Sequence, residues 1–132
     1  MCKRGDIILV DNYVDGEVKI SRHSFLVLDD QGGKIEGLSY DFMCNVLSSI
    51  KSPKQRERKL SYPGNFPISH NDTETDPDNG RDGYIKADQL YYFRKDKLSF
   101  RCIGSIHEDV LEQLILFIEN GSFEVKQIID NL

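Results

Sequence analysis

The apolar residues of this chain lie in short runs that are bounded by charged residues or glycine. Two of these runs, "DIILVD" and "SFLVLD", each hold four apolar residues in succession. Runs of this length are too short for helices and predict strands that are buried on both faces. The polar segment between them contains Asp15 and Gly16, which together form a turn signal. The pattern therefore predicts two strands that are joined by a flexible connection.

The middle and the end of the chain carry further strand patterns and one clear helix pattern. One or two strands are predicted in residues 34–50, and an extended segment at a sheet edge or in a loop is predicted in residues 59–69. Further strands are predicted in "GYIKA" and "LSFRCIGSI", with a helical turn at "DQLYYF". Ser105 and Glu108 have the spacing of a capping box, and the apolar residues after them recur at helical spacing until Gly121. A last short helix is predicted in residues 122–132.

These elements predict a mainly β fold with a C-terminal helix, which is α+β by content. Many short strands followed by one or two helices are typical of a small, strongly bent sheet or barrel on which the long helix packs. The length of 132 residues suits a single domain that spans residues 1–132. Two polar segments without an apolar period, residues 51–58 and 70–82, are predicted as long exposed loops.

Charge and cysteine content narrow the function classes. The net charge of −5 argues against broad attraction to nucleic acid, although the basic segment "KSPKQRERK" is followed closely by the acidic segment "HNDTETDPDNGRDG". Cys2, Cys44 and Cys102 lack the paired spacing of a zinc site and suit a reducing compartment. No apolar run is long enough to span a membrane, and "MCKRGD" lacks the apolar stretch of a secretory signal. We therefore expect a cytoplasmic protein without a bound metal or other cofactor.

Four pieces of the sequence, in matching order and spacing, resemble the MazF/PemK/Kid family of toxins. "KRGDIILVD", followed by Arg22 and "HSFLVL", resembles the family's R-G-D/E strand, connecting loop and R-P-V strand. "VLSS" resembles its V-T-S/T-G segment, and "GYIKADQLYYFRKDKL" resembles its G-x-V-R-x-D-Q stretch. The resemblance covers most of the chain except residues 51–82, and it rests on the order of the four pieces because no single motif is specific.

The resemblance implies a fold and an activity. The fold would be a small SH3-like β-barrel of the MazF/CcdB-like type, usually in a homodimer. The activity would be that of the toxin of a type II toxin-antitoxin system, whose partner is a small acidic antitoxin protein. Such a toxin is a metal-independent, sequence-specific endoribonuclease that cleaves single-stranded RNA, including mRNA, to 2′,3′-cyclic phosphate and 5′-hydroxyl ends.

The resemblance also assigns candidate catalytic residues. Metal-free RNA cleavage needs a base for the 2′-hydroxyl proton, cations for the charge of the phosphorane and an acid for the leaving 5′-oxygen. Asp88 is the candidate base, although an Asp at this position can instead cap a helix over "QLYYF". Arg22 offers forked donors to a phosphate oxygen, although an Arg beside a buried strand is most often simply exposed. Lys86 stands where the family has Arg and keeps the charge without the bidentate geometry.

Four further residues are candidates for RNA binding. Ser48 and Ser49 fall on the family's Thr/Ser pair and can bond phosphate or base, or they are only turn formers. Gln89 can contact a base edge or continue a helical turn. His23 replaces the family's Pro and can titrate near neutral pH, although a lone His beside a core strand is more often structural.

Some departures from the family pattern keep other functions open. Tyr91 and Tyr92 replace Arg-Thr and either stack on bases or pack in the core. Glu17 falls near a position where one branch of the family carries a catalytic His, which a carboxylate cannot replace. A degenerate, non-catalytic module that binds RNA or a protein therefore remains an alternative, and the acidic segment can fold over the basic one. A CcdB-like gyrase poison is disfavoured because the chain has no Trp.

Overall fold

The computed structural model describes residues 2–75 and 82–132. Within these ranges the chain forms a mainly antiparallel β structure with two α-helices and one short 3-10 helix, Lys95–Lys97. The strands are β1 (Asp6–Asp15), β2 (Val18–Asp29), β3 (Gly33–Ile35), β4 (Leu38–Tyr40), β5 (Phe42–Ser49), β6 (Asn65–Ile68), β7 (Thr73–Thr75), β8 (Gly83–Phe93), β9 (Phe100–Ile106) and β10 (Lys126–Ile128). The helices are α1 (Pro53–Leu60) and α2 (Glu108–Asn120).

Strands β1 and β2 form one long hairpin. Their pairing runs from Ile7 opposite Leu26 to Asp15 opposite Val18, with a turn at Gly16 that has a positive φ of 65°. The prediction of a flexible connection between two short strands is therefore wrong. Polar residues continue the strands because the backbone hydrogen bonds of the hairpin do not require apolar side chains.

The main sheet has the strand order β10-β8-β5-β2-β1-β9-β7, and β6 pairs with β8 outside this path. Strands β3 and β4 form a separate hairpin. "DQLYYF", predicted as a helical turn, belongs to β8, where Tyr91 pairs with Cys44 and Phe93 with Phe42. Asp88 therefore does not cap a helix, because cross-strand packing of the apolar residues after it outweighs their local helix preference.

The sheet curls around a core of aromatic and branched side chains. Phe42 on β5 contacts Phe100 on β9, with ring centroids 5.5 Å apart, although two strands lie between them in the sheet. Tyr13 on β1 contacts Tyr91 on β8 at the same distance, again across two intervening strands. Such contacts require strong curvature, which agrees with the predicted fold class of a small bent sheet with a C-terminal helix.

Helix α2 packs on the other face of the sheet. Its apolar stripe places Val110, Leu111 and Leu114 in a second buried cluster with strand residues that include Ile7 and Ile85. The predicted capping box is absent, because Ser105 lies within β9 and the N-cap is His107, which makes no side-chain cap bond.

The C-terminal end of α2 and the segment after it also differ from the prediction. Gly121 has a φ of −69°, which is not the left-handed conformation of a glycine cap. The last predicted helix is instead β10, which pairs in parallel with β8.

Both polar segments contain regular structure that the hydrophobic pattern does not reveal. Residues 51–58, predicted as a loop, mostly belong to α1, whose N-cap Ser52 accepts a hydrogen bond from the Gln55 backbone at 3.1 Å. None of the α1 residues is buried, so the helix has no apolar stripe. In the second segment β7 pairs with β9, and residues 76–81 lie outside the described residues. No helix in the described ranges is long and apolar enough to cross a membrane.

Candidate functional site

Polar side chains continue the core face of three neighbouring strands. Phe25 on β2 pairs with Val46 on β5, and both belong to the buried core inside the curved sheet. Because side chains on a strand alternate between faces, residues two positions away lie on the same face. His23 and Ser48 are these residues on β2 and β5, and Lys86 on β8 is the direct partner of Val46. The core face therefore ends in an imidazole, a hydroxyl and an ammonium group.

A cavity of about 410 Å³ lies at this end of the strands. It contains four of the residues predicted to act on RNA, namely Arg22, His23, Ser48 and Ser49. His23 Nε2 and Ser48 Oγ lie 3.3 Å apart, so the two side chains can share a hydrogen bond. Three residues in and before α1 line the other side of this cavity, namely Lys51, Gln55 and Lys59.

His23 is electrostatically unusual among these residues. Burial, and to a smaller extent the positive charge of Lys86, lower the pKa of His23 below its usual value of 6.5. The imidazole is therefore mostly neutral at neutral pH and can accept a proton. A neutral imidazole beside a hydroxyl and a cation is suited to general base chemistry.

Arg22 lies on the rim of the same cavity. Its guanidinium Nε is 3.8 Å from Asp11 Oδ1, and 68% of its side chain is exposed. An exposed ion pair at this distance is weak, so the guanidinium remains available to a phosphate. Because Arg22 and His23 are adjacent on β2, their side chains leave opposite faces of the strand.

A second cavity, of about 360 Å³, adjoins the first. It contains the other three predicted site residues, Lys86, Asp88 and Gln89. Lys59 of α1 lines both cavities, and Lys86 acts electrostatically on His23 in the first one. The structure thus places the seven predicted residues in two adjoining cavities, which together form one groove beside α1.

Asp88 is held in place by two residues that the sequence does not single out. Asn45 is fully buried, and its Nδ2 donates to the backbone carbonyls of Lys86, at 3.2 Å, and of Gln89, at 2.7 Å. These bonds span the register shift between β5 and β8, which is a β-bulge that includes Asp88. Asn45 Oδ1 has no hydrogen-bond partner among the described residues.

The backbone of Gly64 supports the other side of the bulge. Its carbonyl accepts a hydrogen bond from the Ala87 backbone at 2.9 Å. A Cβ atom at position 64 would lie only 2.6 Å from Asp88 Cγ, so the carboxylate packs directly on the glycine. The buried Asn within the apolar segment "FMCNVL" is the one signal in the sequence that points to this arrangement.

Helix α1 adds positive charge along the groove. Lys51, Lys54 and Arg58 line a further cavity, which shares Lys51 and Gln55 with the first cavity, and Lys59 faces the groove. Arg56 lies 3.6 Å from Asp82, which also accepts a hydrogen bond from the His70 backbone at 3.0 Å. The cations of α1 therefore sit beside the candidate site despite the acidic balance of the whole chain.

Three residues that depart from the family pattern lie away from the groove. Tyr91 and Tyr92 are buried, and the Tyr91 hydroxyl donates to Asp15 Oδ2 at 3.3 Å. Their rings pack against other aromatic side chains and are not free to stack on a base. Glu17 lies in the exposed turn of the β1–β2 hairpin and lines neither cavity of the groove.

Comparison with known proteins supports the resemblance in the sequence. No curated protein sequence matches this chain. The family model described as "PemK-like, MazF-like toxin of type II toxin-antitoxin system" matches residues 3–118, which is most of the chain. The chain therefore belongs to the PemK-like, MazF-like family of toxins of type II toxin-antitoxin systems.

Proposed function

We propose that this toxin is a metal-independent, sequence-specific endoribonuclease that cleaves single-stranded RNA in the cytoplasm as a homodimer. The main support is the groove, which combines two candidate bases, hydroxyl donors and cations without needing a metal ion. Family membership implies an antitoxin partner. An antitoxin that covers this groove would block access of RNA to the candidate site.

The proposed reaction is attack of a 2′-hydroxyl on the adjacent phosphate. A base removes the hydroxyl proton, the new P–O bond forms the 2′,3′-cyclic phosphate, and the 5′-oxygen leaves with a proton as a 5′-hydroxyl. Two groups can accept the first proton, namely the carboxylate of Asp88 and the neutral imidazole of His23. Arg22 and Lys86 stabilise the charge of the phosphorane, and Arg22 is the candidate donor to the leaving oxygen.

The remaining groove residues hold the substrate. The hydroxyls of Ser48 and Ser49 can donate to phosphate oxygens, and Gln89 can bond a base edge. Strands β2 and β8 are separated by β5, so their backbones lie about 10 Å apart at two strand spacings. Lysine and arginine side chains from the two strands can therefore reach the same or neighbouring phosphates of one bound strand.

The test is incubation of the purified protein, free of antitoxin, with a long unstructured RNA in EDTA. We expect cuts at a short recurring sequence, with cyclic phosphate and 5′-hydroxyl ends. Arg22→Ala should abolish cutting, whereas Arg101→Ala is a matched control because Arg101 is exposed on β9 and lines neither cavity of the groove. Equal rates for wild type and Arg22→Ala would remove Arg22 from the mechanism.

A non-catalytic module that binds RNA or a protein is the second candidate. Two observations favour it, namely Lys86 in place of an Arg and the location of Arg22 and Asp88 in different cavities. In this case the folded protein would retain a fluorescent single-stranded RNA and leave it uncut. The same RNA in one binding and cleavage experiment separates the two candidates.

A further inference from the structure

Two cysteines and one aspartate meet at the start of β1, outside the groove. Cys2, Asp6 and Cys102 each offer a ligand atom, and these three atoms all lie within 4.8 Å of one another. Cys2 and Cys102 are 100 positions apart in the sequence and are brought together by the pairing of β1 with β9, in which Ile8 lies opposite Cys102. A bulge between Ile7 and Ile8 changes the register at this point.

Contrary to the expectation from the cysteine spacing, we propose that Cys2, Asp6 and Cys102 form a binding site for a thiophilic divalent cation such as Zn²⁺. Two thiolates and one carboxylate are a donor set that Zn²⁺ accepts, with a water molecule in the fourth position. The ion would connect the segment before β1 to strand β9. None of the three residues lines either cavity of the groove, so the site is independent of the proposed RNA cleavage.

The geometry requires only a small adjustment. A Zn–S bond of about 2.3 Å places two thiolates about 3.8 Å apart in a tetrahedral site. The three ligand atoms therefore need to close by at most about 1 Å. Cys2 is partly buried against the core, whereas Cys102 is exposed and its Sγ donates to the Gly104 carbonyl at 3.7 Å, so the adjustment falls mainly on Cys102. Asp6 Oδ2 accepts a hydrogen bond from the Lys3 backbone at 2.9 Å, which orients the carboxylate and leaves Oδ1 for the ion.

A redox-active pair is the competing explanation for two neighbouring thiols. The two explanations differ in the role of Asp6. A disulfide needs only the two sulfur atoms, whereas a bound cation also takes the neighbouring carboxylate oxygen.

The test is a titration of the full chain, reduced with a phosphine and freed of metal, with Co²⁺ and then with Zn²⁺. We expect one Co²⁺ per chain, with a thiolate-to-metal charge-transfer band in the near ultraviolet and the visible bands of a tetrahedral site. Zn²⁺ should displace the Co²⁺, so that the charge-transfer band and the visible bands both disappear. The assay does not involve RNA, so its result is separate from that of the cleavage experiment.

Two variants test proposed ligands, and a third is a control. Cys102→Ser and Asp6→Asn should each weaken Co²⁺ binding by at least about tenfold. Loss of a residue that only hydrogen-bonds a metal ligand already lowers metal affinity by about this factor, and loss of the ligand itself should lower the affinity at least as much. Cys44→Ala is the matched control, because Cys44 is fully buried and is not one of the three ligands. Circular dichroism of each variant shows that it is folded. A missing charge-transfer band, an unchanged band in Cys102→Ser, or loss of the band in Cys44→Ala would overturn the proposal.

Discussion

Replacing Gly64 with Ala tests whether the position of Asp88 matters for cleavage. The new Cβ would lie 2.6 Å from Asp88 Cγ and 2.7 Å from Asp88 Oδ2, whereas carbon atoms in contact normally lie about 3.5 to 4.0 Å apart. Asp88 must therefore move by about 1 Å. Gly64 is not among the glycines with a positive φ, so the substitution changes the contact and not the backbone conformation.

The expected loss of activity follows from this displacement. A misplacement of about 1 Å at a catalytic group can cost on the order of 100-fold in rate, so we expect Gly64→Ala to slow single-turnover cleavage by about that factor. Overpacking should lower the free energy of unfolding by about 1 to 3 kcal/mol, and urea denaturation measures this separately. The cleavage rates of the wild type and the variant are compared without urea, where both proteins are fully folded, so that the loss of stability does not contribute to the difference in rate.

A double-variant cycle shows whether the effect passes through Asp88. If Gly64→Ala acts by displacing the carboxylate, it should cause little further loss in an Asp88→Ala background. Wild-type cleavage by Gly64→Ala would refute the inference that Asp88 needs this position. An equal loss in both backgrounds would show that Gly64 acts by another route.

Three further predictions concern other parts of the site. The pKa of His23 is lowered in the folded state, so the contribution of His23 to stability is complete above the unfolded pKa of about 6.5 and is lost as the pH falls through the folded pKa. His23→Gln should therefore flatten the decline of Tm at acid pH. A decline as steep as that of the wild type would contradict this. Asn45→Ala should lower the free energy of unfolding by about 2 to 4 kcal/mol in urea denaturation, because two backbone carbonyls lose a buried donor, whereas exposed Asn12→Ala should change it little. Replacing Lys54 and Arg58 of α1 with Gln should reduce the slope of log affinity for single-stranded RNA against log salt concentration by about 1.4, which corresponds to two lost phosphate contacts. The control replaces Lys34 and Lys97, which are also exposed, with Gln. If both double variants have the same slope, α1 does not belong to the RNA interface.

The candidate residues could be predicted from the sequence, but their spatial relationship could not. The order of the four family-like pieces identifies all seven candidate residues, although not the other residues that line the groove, such as Lys51 and Lys59. Their division between two cavities depends on the strand order, since Arg22 and His23 lie on β2, whereas the three candidate residues of the second cavity lie on β8. Asn45 and Gly64 carry no catalytic side chain, and apart from the polar Asn45 within an apolar segment, only their contacts with the bulge around Asp88 show their role.

The sequence by itself determined the buried strands, the long helix and the family. Continuous apolar runs such as "IILV" and "FLVL" are too short for helices and predict strands of a buried sheet, and the helical stripe before Gly121 needs no partner to be recognised. Whether the polar segments form strands, helices or loops was decided only by the tertiary structure. Residues between the first two runs became strand because backbone pairing in the hairpin is independent of side-chain polarity, and "DQLYYF" became strand because its aromatic side chains pack across the sheet. Helix α1 buries no residue, so polar contacts position it beside the groove, namely the hydrogen bond from Asn65 Nδ2 to the Lys59 carbonyl and the Arg56–Asp82 ion pair, which no hydrophobic pattern encodes.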